Sequence, residues 1–204
     1  MRPIAFGLVL AAAVALASAP VAAAVPAAAA GLVDVRTVVP DAIVDLRYAT
    51  TDNFVGQQLY PADAHCLVHE SMAAGLAAAA AALRPDRLVF WDCYRPHEVQ
   101  VRMFDAVPNP NWVARPGTSA RSHEAGRSVD VTIAGVDMGT GFDDFSPRSL
   151  AYATEGVSPA EQANRARLRQ AMQSGGLTVY SGEWWHFDGP GAADPRPFLD
   201  VPLD

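Results

Sequence analysis

Cysteine is scarce in this chain, and charge of one sign never gathers into a run. Its 204 residues include two cysteines, Cys66 and Cys93, which lie outside any C-x-x-C pattern and are too few to build a cysteine metal site. In an oxidising compartment an even count favours one disulfide; two buried small hydrophobes is the other reading. No cysteine occurs in the first thirty residues, so lipid attachment through an N-terminal cysteine has no residue to use. The formal charge of −7 comes without a basic cluster, and nucleic acid is not an expected partner. There is no internal repeat and no regular βαβ alternation, so an α+β fold with a largely antiparallel central sheet flanked by helices is favoured.

An unbroken, strongly apolar run of about 20 residues, as a membrane span needs, is also missing. The apolar N-terminus is alanine-rich and interrupted by Pro20 and Pro26. Arg2, the apolar stretch Ile4 to Leu16 and the small residues Ala22, Ala23 and Ala24 instead read as an export signal over 1–24, with cleavage as late as Ala30. A membrane anchor is the competing reading. Cleavage predicts an exported, periplasmic or secreted protein with no stable anchor. A flexible Ala/Pro segment is expected over 25–33 and one folded domain over 34–204.

Within that domain, Val33 to Ala49 alternates well enough for a strand or two, with Ile43, Leu46 and Tyr48 as buried candidates. The alanine-rich stretch His69 to Leu83 predicts a buried helix that stops ahead of Pro85. Arg87 to Cys93 is a short β-prone run, and Pro96 could open a helix through Phe104. A polar loop from Pro108 to Gly126 precedes Val129, Val131 and Ile133, whose alternation turns Asp130 and Thr132 to the other face of a strand. Ser158-Pro159-Ala160-Glu161 is the clearest helix start, and that helix should run to Ser174 before Gly175-Gly176. Leu177 to Tyr180 and Trp184 to Phe187 read as a closing strand pair. Arg165, Arg167 and Arg169 read as a solvated helix face, with Glu161 and Arg165 spaced for an i,i+4 pair.

Two segments concentrate metal-ligating chemistry: Ser122-His123-Glu124-Ala125-Gly126-Arg127-Ser128-Val129-Asp130, and Glu183-Trp184-Trp185-His186. Two imidazoles and a carboxylate suit zinc, and three protein ligands leave a position for water. The seven-residue step from His123 to Asp130 does not put both on one side of an unbroken strand; Gly126 offers a turn between them. Each residue taken alone reads as a solvated side chain, and the pairing of the two segments is what favours a site. His65, His69 and His97 lack a partner carboxylate at ligand spacing and read as surface or capping residues. Trp184 and Trp185 read as packing that orients their neighbours.

The S-H-x-x-G-x-x-x-D run and the E-W-W-H run resemble the signature of the M15 metallopeptidases, and within them the D-alanyl-D-alanine dipeptidases linked to glycopeptide resistance. Asp45-Leu46-Arg47-Tyr48-Ala49-Thr50, Trp91-Asp92-Cys93-Tyr94-Arg95-Pro96, Met138-Gly139 with Phe142-Asp143, and Gln162-Ala163-Asn164-Arg165 match further blocks in the same order. The resemblance implies one Zn2+ held by His123, Asp130 and His186, with Glu183 as general base. It implies that Arg95 stabilises the oxyanion; an ion pair with Asp92 is the alternative. For substrate it implies Asp143 at the amino end, with Asp144 as competitor, and Tyr48 and Ser122 at the carboxylate end, with Tyr60 a weaker candidate. Arg121 departs from the small hydroxyl residue expected before Ser122.

The implied partner is D-alanyl-D-alanine or a related short peptidoglycan peptide, and the export signal read over 1–24 moves its turnover outside the cytoplasm. A D,D-carboxypeptidase acting on stem peptides and a non-catalytic zinc-stabilised binding module are the alternatives. The second predicts loss of Glu183 or Arg95, and both are present.

Overall fold

Alternation after Gly31 predicts extended chain, and the computed structural model, which describes residues 25–204, breaks that stretch into two strands around a turn of helix. β1 (Leu32–Asp34) runs into α1 (Val35–Val38) because the Asp34 carboxylate accepts the Arg36 N–H at 2.8 Å and caps the turn. β2 (Ile43–Val44) follows. Leu46 and Tyr48 are buried and Ile43 half-buried. The export signal expected over 1–24 lies outside the described residues. The segment over 25–33, expected to be flexible, instead carries a 3-10 turn at Ala27–Ala30 that Gly31 closes at φ 70. The Val25 N–H donates to Asp200 O at 3.0 Å, so the C-terminal tail holds this lead-in.

β3 (Leu67–His69) pairs antiparallel with β1. The helix expected from His69 begins later, at α2 (Ala73–Leu83), because His69 still belongs to the strand and its imidazole accepts the Ser71 N–H as a cap. Leu76, Ala79 and Leu83 form its buried face, and the two leucines contribute about 3–6 kcal/mol of burial together. β4 (Leu88–Asp92) is buried along its whole length, as a central strand covered on both faces must be. α3 (His97–Ala106) starts with Pro96 as its cap residue. Cys66 and Cys93 form a disulfide that ties the start of β3 to the end of β4.

β5 (Ser128–Ile133), α4 (Pro159–Ser174), β6 (Thr178–Val179) and β7 (His186–Asp188) complete the domain. The five-stranded sheet has the order β2-β4-β5-β7-β6. Its pairings are antiparallel except β2 with β4, which is parallel. α4 has the full capping box: Ser158 Oγ accepts the Glu161 N–H and Glu161 returns a carboxylate to the Ser158 N–H. It crosses α2 where Gly75 meets Gly175. A Cβ on Gly75 would fall 2.3 Å from the Gly175 carbonyl oxygen, so only glycine permits this approach.

One charge expected in solvent is inside. Arg165 is 3% exposed and its Cζ lies 5.4 Å from the Trp184 ring centroid. It makes no ion pair with Glu161, whose carboxylate is committed to the cap. The cap at Ser158 identified the helix; which of its faces would be covered depended on the loop over 138–150 that packs on Arg165. Among the described residues no helix is long and apolar enough to cross a membrane.

Candidate metal centre and substrate cleft

His123 and Asp130 lie seven residues apart, and the chain brings them together with a change of structure between them. Ser122–Ala125 form a 3-10 turn, Gly126 reverses the chain at φ 64, and β5 begins two residues later. The conformation demands glycine, and a Cβ on Gly126 would also sit 2.6 Å from Leu32 Cδ2, which would have to shift. Asp130 then faces His186 directly across the antiparallel β5–β7 pair, where opposed residues share a face.

The result is a buried triangle. His123 Nε2 lies 3.1 Å from His186 Nδ1, His186 Nδ1 lies 3.1 Å from Asp130 Oδ1, and His123 Nε2 lies 3.3 Å from Asp130 Oδ1. Three ligands each at the usual zinc distance of ~2.0 Å on a tetrahedron would stand about 3.3 Å apart. The far ring nitrogens are also held. His123 Nδ1 lies 2.8 Å from the Cys93 carbonyl, and His186 Nε2 lies 3.0 Å from Asp188 Oδ1. Each contact holds a proton on the far nitrogen, so the near nitrogen is the one that would offer its lone pair to a metal. These residues fit a divalent cation of zinc type.

The charges agree. Asp130, Asp143, Glu183 and Asp188 all line the cleft around two imidazoles. Burial alone would lower His186, but hydrogen bonds to Asp130 and Asp188 outweigh it and hold the imidazole up to about 10. Asp130 is held well below the usual carboxylate range: burial opposes this, and the His123 and His186 imidazoles prevail. The pocket is built to hold positive charge.

Glu183 comes from the turn between β6 and β7, with its Oε2 3.9 Å from His186 Nδ1 and a quarter of its side chain open to the cleft. Burial pushes its carboxyl up to about 6, with His186 pulling the other way. That range suits a group that must both take and release a proton. Trp184 and Trp185 flank it from the core, as expected of packing residues.

Arg95 follows β4, and its N–H donates to the His123 carbonyl at 3.1 Å. Its guanidinium donates Nε and Nη2 to Asp92 Oδ2 at 3.0 and 2.6 Å and Nη1 to Gln100 Oε1 at 2.6 Å. The ion pair with Asp92 and the place in the cleft therefore coexist. Three contacts from a fork of five N–H donors leave donors for a ligand. Tyr60 stands behind this pair, its hydroxyl donating to Asp92 Oδ1 at 2.7 Å, and it does not line the cleft.

Asp143 faces the cleft and Asp144 does not. The Tyr48 hydroxyl donates to Asp143 Oδ2 at 2.9 Å, which associates Tyr48 with the acidic end, where the expectation had it binding a carboxylate. Burial, reinforced by Asp130, pushes the Asp143 carboxyl well above its ordinary value. Ser122 lines the cleft, with its Oγ donating to Ser128 Oγ at 2.9 Å. Among the described residues, Ser122 at φ 48 and Asp143 at φ 56 are the non-glycine positions with positive φ, and both border the cleft, where strain is characteristically retained.

The cleft has a volume of about 430 Å³. Arg121 lies on its wall, and Trp112 stacks on Phe145 at its rim. A larger hollow of about 690 Å³ lies behind Phe142 and shares Phe54 and Asp143 with the cleft, but none of the metal triangle lines it. Asp188 escaped the sequence reading, although an Asp two residues after His186 on one strand faces the same way. His65 and His97 do have carboxylate partners, Asp34 and Glu124, each at 2.6 Å. Those acids come from distant sequence, which local spacing does not reveal.

Residues 28–204 match the family model described as D-ala-D-ala dipeptidase, of the M15 peptidases. The chain is 38% identical over 169 residues to the D-alanyl-D-alanine dipeptidase of Escherichia coli strain K12, covering 79% of this chain and 86% of that protein. It is 30% identical over 191 residues to the enzyme of that name from Enterococcus faecium, covering 78% and 91%. Against that of Streptomyces coelicolor the identity is 29% over 189 residues, again covering 78% and 91%.

Proposed function

This chain belongs to the M15 peptidase family of D-ala-D-ala dipeptidases, and from that premise we propose that it hydrolyses D-alanyl-D-alanine outside the cytoplasm, in turnover of peptidoglycan fragments. The observation that carries the reaction is the triangle of His123, Asp130 and His186 with the Glu183 carboxylate beside it. A zinc ion held by those three residues would supply Lewis acidity to the scissile carbonyl and acidify a water. Glu183 takes the water's proton at Oε2 and returns it to the departing amine. Arg95, immobilised by Asp92 and Gln100, directs its remaining N–H groups at the oxygen on which negative charge develops.

The substrate's free ends set the specificity. Asp143, held by Tyr48, receives the ammonium, and the Ser122 side of the cleft receives the carboxylate. Arg121 supplies a positive charge on that wall, which supports recognition of the carboxylate by charge. Export is supported by the Cys66–Cys93 bridge, since such bonds persist in oxidising compartments.

The test compares D-alanyl-D-alanine, its N-acetylated form and a stem pentapeptide, with and without zinc. Preference for the free dipeptide is expected. A better rate on the pentapeptide would replace this reading with a D,D-carboxypeptidase. Glu183→Ala should retain zinc and lose turnover by about 10²–10⁴-fold; unchanged turnover would remove Glu183 from the chemistry.

A further inference from the structure

The loop bearing Asp143 has an anchor that the proposed chemistry does not use. Arg165 on α4 is buried, and every hydrogen bond it makes runs to a neutral oxygen. Nε donates to the Met138 carbonyl at 2.6 Å and Nη1 to the Arg148 and Leu150 carbonyls at 2.7 and 3.4 Å. Nη2 reaches Thr140 Oγ1 at 3.5 Å. A buried charge satisfied only by neutral acceptors is costly beside an apolar residue of similar size. Packing alone gives no reason for arginine here.

The contacts are arranged around one feature. Met138 and Thr140 form one stem of the loop, Arg148 and Leu150 the other, and Asp143 sits between them with φ 56. A carboxylate residue in that conformation needs its surroundings to hold it. Thr140 is also the node to the other half of the cleft. Its Oγ1 accepts the Trp184 indole N–H at 2.7 Å and lies 3.3 Å from Ser149 Oγ, while the Trp184 backbone N–H donates to the Ser149 carbonyl at 3.0 Å. Trp184 adjoins Glu183 in the chain.

We propose that Arg165 is a positioning residue which, through Thr140 and Trp184, fixes the separation between Asp143 and Glu183 and so sets how far from a free amino terminus the peptide is cut. The inference rests on the reading of Asp143 as the ammonium receptor and Glu183 as the base. The clamp joins both stems of the loop to the segment carrying Glu183, so loosening it displaces the two ends of the substrate relative to each other. A misplacement of this kind affects a substrate anchored at its amine more than one that cannot use Asp143.

The experiment measures kcat and KM for D-alanyl-D-alanine and its N-acetylated form on zinc-loaded wild type, Arg165→Met, Thr140→Val and Asp143→Asn, with zinc content and circular dichroism alongside. Arg165→Met and Thr140→Val should keep their zinc and lose about tenfold to a hundredfold of the preference for the free dipeptide, chiefly through its KM. If both substrates slow by the same factor, or the preference persists, Arg165 is only structural and the proposal is overturned. Should Arg165→Met not fold, Thr140→Val, which removes the node while keeping its shape, decides the matter. Asp143→Asn separates the two readings: retained preference in that variant would sink the ammonium assignment itself.

Discussion

Replacing Asp188 by alanine should weaken zinc binding without touching any of the three proposed ligands. Asp188 Oδ1 accepts from His186 Nε2 at 3.0 Å and from Ser128 Oγ at 2.5 Å, which keeps the Nδ1 lone pair on the metal side. Outer partners of this kind are worth about tenfold to a hundredfold in metal affinity, or about 1.4–2.7 kcal/mol. The Asp188 side chain is 39% exposed, so solvent screens its charge and the loss should lie near the lower figure, about tenfold. Asp188→Asn keeps an acceptor oxygen and should fall between wild type and alanine. Competition for zinc against a chromophoric chelator at fixed pH reads the affinity directly. An unchanged dissociation constant for Asp188→Ala would refute the claim that this carboxylate orients His186.

Arg95→Met, which keeps the apolar stem, should lower kcat by about 10²–10³-fold with zinc content intact; steady-state kinetics beside metal analysis checks this. Gly126→Ala places a Cβ 2.6 Å from Leu32 Cδ2 at φ 64, and should cost about 1–3 kcal/mol in denaturant unfolding together with zinc affinity, since the turn carries His123. Removing the disulfide with Cys66→Ala and Cys93→Ala frees a loop with a sequence separation of 27, worth about 3.5 kcal/mol by loop entropy. Thermal unfolding should show this as a lower midpoint, and reductant should shift wild type but not the double variant.

Local spacing made the helix starts and strands legible where short-range physics governs them. Ser158, Pro159 and Glu161 supply their own cap, and the alternation around Asp130 separates its two faces without reference to the rest of the chain. It failed where a distant group decided the outcome. Arg165 reads as solvated until the 138–150 loop closes over it, and the alternating run after Gly31 contains α1 because Asp34 caps it. Tyr48 could be named as a site residue from its block, but not assigned to Asp143, which lies 95 residues further on.

The candidate ligand types, the glycine that turns between them, the proposed base three residues before His186 and the family were all present in the one-dimensional order, because chemistry and turn conformation are properties of short segments. What that order left open was decided by the fold. Pairing of β5 with β7 put Asp130 against His186, Asp92 immobilised Arg95, Asp188 and the Cys93 carbonyl selected the ring nitrogens, and Arg165 joined the loop of Asp143 to the segment of Glu183. Each is a contact between residues far apart in the chain, and only sheet register and burial determine which groups meet.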